Sequence, residues 1–165
     1  MIRIEDILDP SCVLLGLRAT EKAGVLRQMT DRLAELGRVR DGAEIHRLLM
    51  ERETLMTTGV KRGFAFPHAF SDQFDQSFLT LGILPGGVDY DSLDHAPVEF
   101  IFLLLGPPNH QTVHLRILAR VSRLMGQPDM LEQLRGAHSV EAVLEVLNDT
   151  ERHLTAYPYS ASLKS

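Results

Sequence analysis

The hydrophobic positions of this chain change their spacing several times from one end to the other. "CVLLGL" (12–17) is a short continuous apolar run and predicts a buried strand. Val25, Leu26, Met29, Leu33 and Leu36 then share one stripe, predicting an amphipathic helix that Thr20 can cap and Gly37 stops. Asp41 and Glu44, an acidic variant of a capping box, open a second helix whose core face runs Ile45, Leu48, Leu49 and then Arg52. Strands are expected at 63–66, 78–84 and 98–105, and "VEFIFLLLG" (98–106) reads as a central strand covered on both faces. The turn-rich "PGGVDYDSLDHAP" between the last two is expected to be irregular. After Pro107-Pro108, Asn109 can cap a helix with His114, Ile117, Leu118, Val121, Leu124 and Met125 inward. Pro128 opens a short helical piece, and Ser139 caps a last helix with Ala142, Val143, Val146 and Leu147 inside. This alternation of periods predicts one mixed α/β domain over residues 1–151, with the polar, irregular residues 152–165 as a flexible tail.

Two residues break the pattern. Arg52 stands in line with an apolar stripe, either snorkelling out at the helix end or aiming a guanidinium across it at an anion. In "GFAFPHAF" (63–70), Phe64 and Phe66 alternate like one face of a strand, and proline cannot donate to a ladder. Pairing is therefore expected to weaken or end at Pro67, leaving His68 at a rim as a surface residue or as a reactive imidazole.

Composition narrows the function classes. The 165 residues are 44% hydrophobic, enough for a core, and the formal net charge of -5 comes from interspersed acids and bases. Such a balance argues against a duplex-binding face. No apolar run approaches the ~20 residues of a membrane span, and the acids in "MIRIEDILDP" are unlike a secretory leader. The single cysteine, Cys12, rules out an intrachain disulfide and fits a reducing, cytoplasmic setting.

Several chemistries are excluded by their missing partners. His110 and His114 lie four apart on a predicted helix, but the glutamate of H-E-x-x-H is absent and no further ligand set lies nearby, so no metal is expected. G-x-S-x-G, G-x-x-x-x-G-K-[ST] and G-x-G-x-x-G are all absent. Asp89, Asp91 and Asp94 are read as solvated turn residues, and His46, His95, His138 and His153 as helix-surface, loop or tail residues.

The remaining residues carry a resemblance. Arg52-Glu53, "TTGV…GFAFPH" ending at His68, "VDYDSLDHAPVEFIFLLLGP" and "VHLRILARVSRLM" follow one another in order. As a set, over roughly residues 5–150, they resemble the enzyme IIA domains of the phosphoenolpyruvate-dependent phosphotransferase system. The subgroup is the fructose/mannitol type, which includes the nitrogen-regulatory proteins. The resemblance implies a three-layer α/β/α sandwich with a mixed β-sheet, and a phosphotransferase component that carries a phosphoryl group and needs no cofactor. It makes His68 the phosphorylated histidine, His114 the second active-site histidine that orients imidazole and phosphate, and Arg52 the arginine that stabilises the phosphoryl group. The implied donor is an HPr-type phosphocarrier, and the onward partner an enzyme IIB or a regulated kinase or transporter. With no IIB or IIC segment fused, a regulatory, nitrogen-type role is expected over one in a permease. The alternative is a binding module that regulates by docking without phosphorylation. The chain departs from the family at Ala69-Phe70, where glycine and often a basic residue follow the histidine. It departs again at Lys61-Arg62, where Gly-Asn is common. Phe70 is expected either to be partly exposed and contact a partner or to turn inward and pack.

Overall fold

The computed structural model describes residues 2–60 and 62–156. Met1, Lys61 and residues 157–165 lie outside the described residues, and with them half of the Lys61-Arg62 departure and most of the expected tail. Five strands form one mixed sheet: β1 (Val13–Leu14), β2 (Phe64–Ala65), β3 (His68–Phe70), β4 (Phe78–Val88) and β5 (Val98–Gly106). The order is β1-β4-β5-β2, with β3 also pairing β5; β4 and β5 are antiparallel and the other pairs parallel. Helices cover both sides. On one, α2 (Lys22–Glu35) and α3 (Gly42–Leu55) pack together, with α3 against β3. On the other, α4 (Gln111–Met125), α5 (Met130–Arg135) and α6 (Val140–Ala156) pack together, α4 against β5 and the short α1 (Ile4–Ile7) against α6. This is the α/β/α arrangement expected from the sequence.

The continuous apolar run became the central strand for the anticipated reason. Every residue of β5 except Glu99 is buried, because β4 and β2/β3 flank it and helices cover its faces. Phe64, Phe66, Phe100 and Phe102 form one aromatic group, with ring centroids 5.7 to 6.5 Å apart. The helices start and stop near the expected residues. Gly37 takes φ 74° after α2, a conformation a side chain would strain. The Asp41 carboxylate accepts from the Glu44 N–H at 3.2 Å, and the Ser139 hydroxyl from the Ala142 N–H at 3.1 Å.

Some expectations are corrected. "CVLLGL" yields a strand of only two residues, with a 3₁₀ turn at Pro10–Cys12 before it. Glu21 rather than Thr20 precedes α2, and His110 rather than Asn109 precedes α4. The strand at 78–84 runs on to Val88, through an irregularity where Gly86 and Gly87 adopt positive φ. Residues 152–156, expected in the tail, belong to α6, which continues to Ala156, with Leu154 buried in the core and Glu151 anchored twice. The Glu151 carboxylate accepts from the Ile4 N–H at 3.1 Å and from Arg120 Nε at 2.9 Å, tying the start of the chain to its last helix.

Pairing weakens at Pro67, where a two-residue gap separates β2 from β3, but it does not end there. Proline lacks a donor but keeps its acceptor, and the Leu104 N–H donates to the Pro67 carbonyl at 2.9 Å. The parallel ladder with β5 therefore resumes at once, with His68 opposite Leu104 and Phe70 opposite Gly106. His68 is thus held on a paired strand, which fixes its backbone more firmly than a free rim would.

Candidate active site

The alternation of a strand sends His68 and Phe70 to one face of β3 and Ala69 to the other, and the burial follows: His68 and Phe70 half-buried, Ala69 buried. His68 Nδ1 lies 3.0 Å from the Phe66 carbonyl oxygen. A carbonyl can only accept, so Nδ1 carries the proton and donates. Nε2 then carries the ring's lone pair.

His114 belongs to the first turn of α4, and its N–H donates to the His110 carbonyl at 2.9 Å. Its side chain is 2% exposed, and neither ring nitrogen has a hydrogen-bond partner among the described residues. Buried polar groups are rarely left so. Burial first, then the neighbouring His68 and His110, lowers its pKa to about 4, so near pH 7 the ring is neutral. One face of that ring stacks on Phe70, with centroids 4.3 Å apart and planes 24° from parallel. Its Nε2 lies so close to Gly106 that a Cβ on residue 106 would come within 2.5 Å of it. That is the close approach that requires glycine at the end of β5. His110, at the head of α4, places Nδ1 2.9 Å from Ser77 Oγ.

His68 and His114 are therefore brought together, on β3 and on the helix that follows β5. Arg52 is placed differently. It lies near the end of α3, in the other helical layer, and its Nη1 donates to the Met56 carbonyl at 3.0 Å. Phe70 is partly exposed, as one of its two expectations had it, and its ring also covers His114. Among the described residues no three His, Cys, Asp or Glu side chains are grouped to hold a metal ion, and His110 bonds Ser77 instead.

One cluster escaped the sequence reading. The buried Glu53 carboxylate takes Lys22 Nζ at 3.0 Å, the Thr58 N–H at 2.9 Å, the Tyr90 hydroxyl at 3.0 Å and the Thr58 hydroxyl. Lys22 Nζ also stands 4.9 Å from the centre of the Tyr90 ring. Burial, then the Glu53 charge, pushes the Tyr90 phenol well above its usual range. This network ties the 57–60 loop that leads into β2, and so the strand that carries His68, to α2 and α3. Glu53, Thr58 and Tyr90 all fall in the quoted motif stretches, but nothing in the spacing joins them, since Lys22 and Tyr90 lie 31 and 37 residues away from Glu53.

A mixed α/β domain with one histidine on a strand and a second on the helix after the central strand has the form of an enzyme IIA domain. The chain belongs to the family described as "Phosphoenolpyruvate-dependent sugar phosphotransferase system, EIIA 2", whose pattern matches residues 6–150. It is 33% identical to a nitrogen regulatory protein of Bradyrhizobium diazoefficiens over 87% of this chain and 94% of that protein. It is also 33% identical to a fructose-specific EIIA component of Haloferax volcanii, over 76% of this chain and 82% of that one. Among solved structures, the nitrogen regulatory protein IIA-Ntr of Neisseria meningitidis superposes with a TM-score of 0.79 at 28% identity, covering 87% of this chain and 98% of its own. No helix among the described residues is long and apolar enough to cross a membrane.

Proposed function

We propose that this protein is a cytoplasmic phosphocarrier that accepts a phosphoryl group on His68 Nε2 from the phosphohistidine of an HPr-type protein. The observation that carries this reading is the pairing of His68, its tautomer set by the Phe66 carbonyl, with a buried imidazole whose nitrogens are unused. In the transfer, the Nε2 lone pair forms a bond to phosphorus while the donor's N–P bond breaks. The electron pair of that bond stays on the donor nitrogen. The His68 ring gains positive charge, and its Nδ1–H, already directed at a carbonyl, is placed to stabilise that charge. The donor's own N–P bond supplies the group, so the step calls for no nucleotide.

His114 has the role of a neutral donor to a phosphoryl oxygen. A pKa of about 4 suits that role, because a second cation beside a charged His68 ring would be repelled. Arg52 has the role of charge stabiliser; its bond to Met56 uses one arm of the guanidinium fork and leaves the rest for an incoming oxygen. The onward route is regulatory, as for the nitrogen regulatory relatives, with transfer to a separate enzyme IIB as the competing route. Incubation of this protein with phosphoenolpyruvate, enzyme I and HPr tests the reading, followed by each onward partner in turn. The expected result is one acid-labile phosphate per chain that a sugar-specific IIB does not remove. Its absence from wild-type protein contradicts the phosphocarrier reading, and its rapid loss to IIB contradicts the regulatory route.

A further inference from the structure

We infer that Phe70 is a positioning residue for phosphoryl acceptance, holding the His114 imidazole in place beside His68. The inference rests on the phosphocarrier reading for its kinetic consequence and on geometry alone for its structural part. A histidine whose two ring nitrogens lack partners among the described residues has no hydrogen bond there to set its rotation, so packing sets it. Two contacts are available, and they come from one register position. Phe70 and Gly106 are cross-strand partners on β3 and β5. The phenyl ring lies against the face of the imidazole at 4.3 Å, and the bare glycine leaves the space that Nε2 enters. An aromatic opposite a glycine thus makes a slot one ring wide, into which the first turn of α4 inserts His114.

The same contact sets the surroundings of the imidazole. The groups that face it are His68 and Phe70 from β3, Gly106 from the end of β5 and, just before α4, His110. The His110 Nδ1 is already engaged with Ser77. Phe70 is the apolar member of this set and shields one ring face from water. Removing its ring should both loosen the imidazole and wet it, and these two effects are separately measurable.

The test compares wild type with Phe70→Leu and Phe70→Tyr in two assays. The first is a proton NMR titration of the histidines in unphosphorylated protein, which needs no phosphoryl chemistry. In wild type, the His114 ring protons should be shifted upfield by the phenyl face, and the ring should titrate near 4. In Phe70→Leu the upfield shift should vanish and the pKa should rise by ~1 unit or more as burial is relieved. The second assay is His68 phosphorylation by phosphoramidate, a small donor that needs no docking surface. The rate should fall ~10-fold or more in Phe70→Leu, since small misplacements near a reacting centre have effects of that order. Phe70→Tyr keeps the stacking ring and should recover most of that rate. His114 protons without an upfield shift in wild type would overturn the inference before any variant is made. So would a Phe70→Leu protein that melts lower yet keeps the wild-type His114 titration and rate per folded molecule, since that is a packing role only. Failure of wild-type protein to take up phosphate would instead contradict the phosphocarrier reading, while the titration would still judge the slot.

Discussion

Two buried polar clusters sit at opposite ends of the segment that leads to His68, and they are finished to different degrees. Around Glu53 every group has a partner: the carboxylate receives Lys22, Tyr90 and both donors of Thr58. Around His114 the reverse holds, with two nitrogens buried and without a partner among the described residues. A saturated cluster in a low-dielectric interior makes one arrangement of the chain much better than any other. An unsaturated one destabilises the resting protein and is compensated when a ligand brings the missing atoms. The first fits a device that fixes the 57–60 loop, and the second a place kept ready for phosphoryl oxygens.

Removing the anchor of the saturated cluster should have the largest effect on folding. Glu53→Ala takes the carboxylate from the largely covered Lys22 ammonium and the buried Tyr90 hydroxyl, leaving them only Thr57 and Thr58, and breaking a buried pair from one side typically destabilises by about 3–5 kcal/mol. Urea denaturation should show a loss in that range; a loss under about 1 kcal/mol, as for an exposed pair, would erase the contrast between the clusters.

The unsaturated cluster should betray itself through pH. His114 has a folded pKa of about 4, below the ordinary 6.5, so between these values the unfolded chain binds more protons. Its neutral burial therefore contributes stability that is fully present above pH 6.5 and is lost as pH falls toward 4. The shift corresponds to about 3 kcal/mol over that window. Urea midpoints of wild type should fall accordingly, and His114→Leu should flatten the histidine share of the slope. An equally steep profile in that variant would mean that His114 is not the linked group.

Kinetic effects of similar or smaller size should separate His114 from Arg52. His114→Ala removes a donor within the slot and should slow phosphoryl acceptance by ~10²–10³. Arg52→Ala removes a side chain whose resting bond is to Met56, so its rate loss, in the same direction, should be the smaller of the two. Wild-type rates within about twofold in both variants would remove the case for either role. The smallest expected effect is that of a chelator: melting temperature and phosphoryl acceptance should both be unchanged, since His110 is committed to Ser77 and His114 to its slot. Stoichiometric zinc in untagged protein, lost together with activity, would contradict this.

What could be read in the sequence was what is local or periodic. The β5 run, the α4 stripe and the caps at Asp41 and Ser139 each depend on neighbours a few residues away, and each appears nearly where its pattern placed it. The interruption at Phe66-Pro67 could be expected because proline's missing donor is visible in sequence, whereas the resumption at His68 uses the Pro67 carbonyl and depends on β5, a distant segment. The Glu53 cluster and the Phe70–Gly106 slot were illegible for the same reason. Both depend on contacts that join residues 31 or more positions apart, and neither leaves a repeating mark along the chain. The candidate site was legible through its motif residues. The contacts of Phe70 and Ser77 around them came only with the fold.

The claim on which the rest depends is that His68 Nε2 takes the phosphoryl group. Phosphorus and nitrogen NMR on protein phosphorylated from phosphoenolpyruvate through enzyme I and HPr reads this directly. One phosphorus resonance coupled to Nε2 of His68 is expected, with none in His68→Ala. Phosphate that persists in that variant, or that maps to His114 or to Nδ1 of His68, would contradict the account.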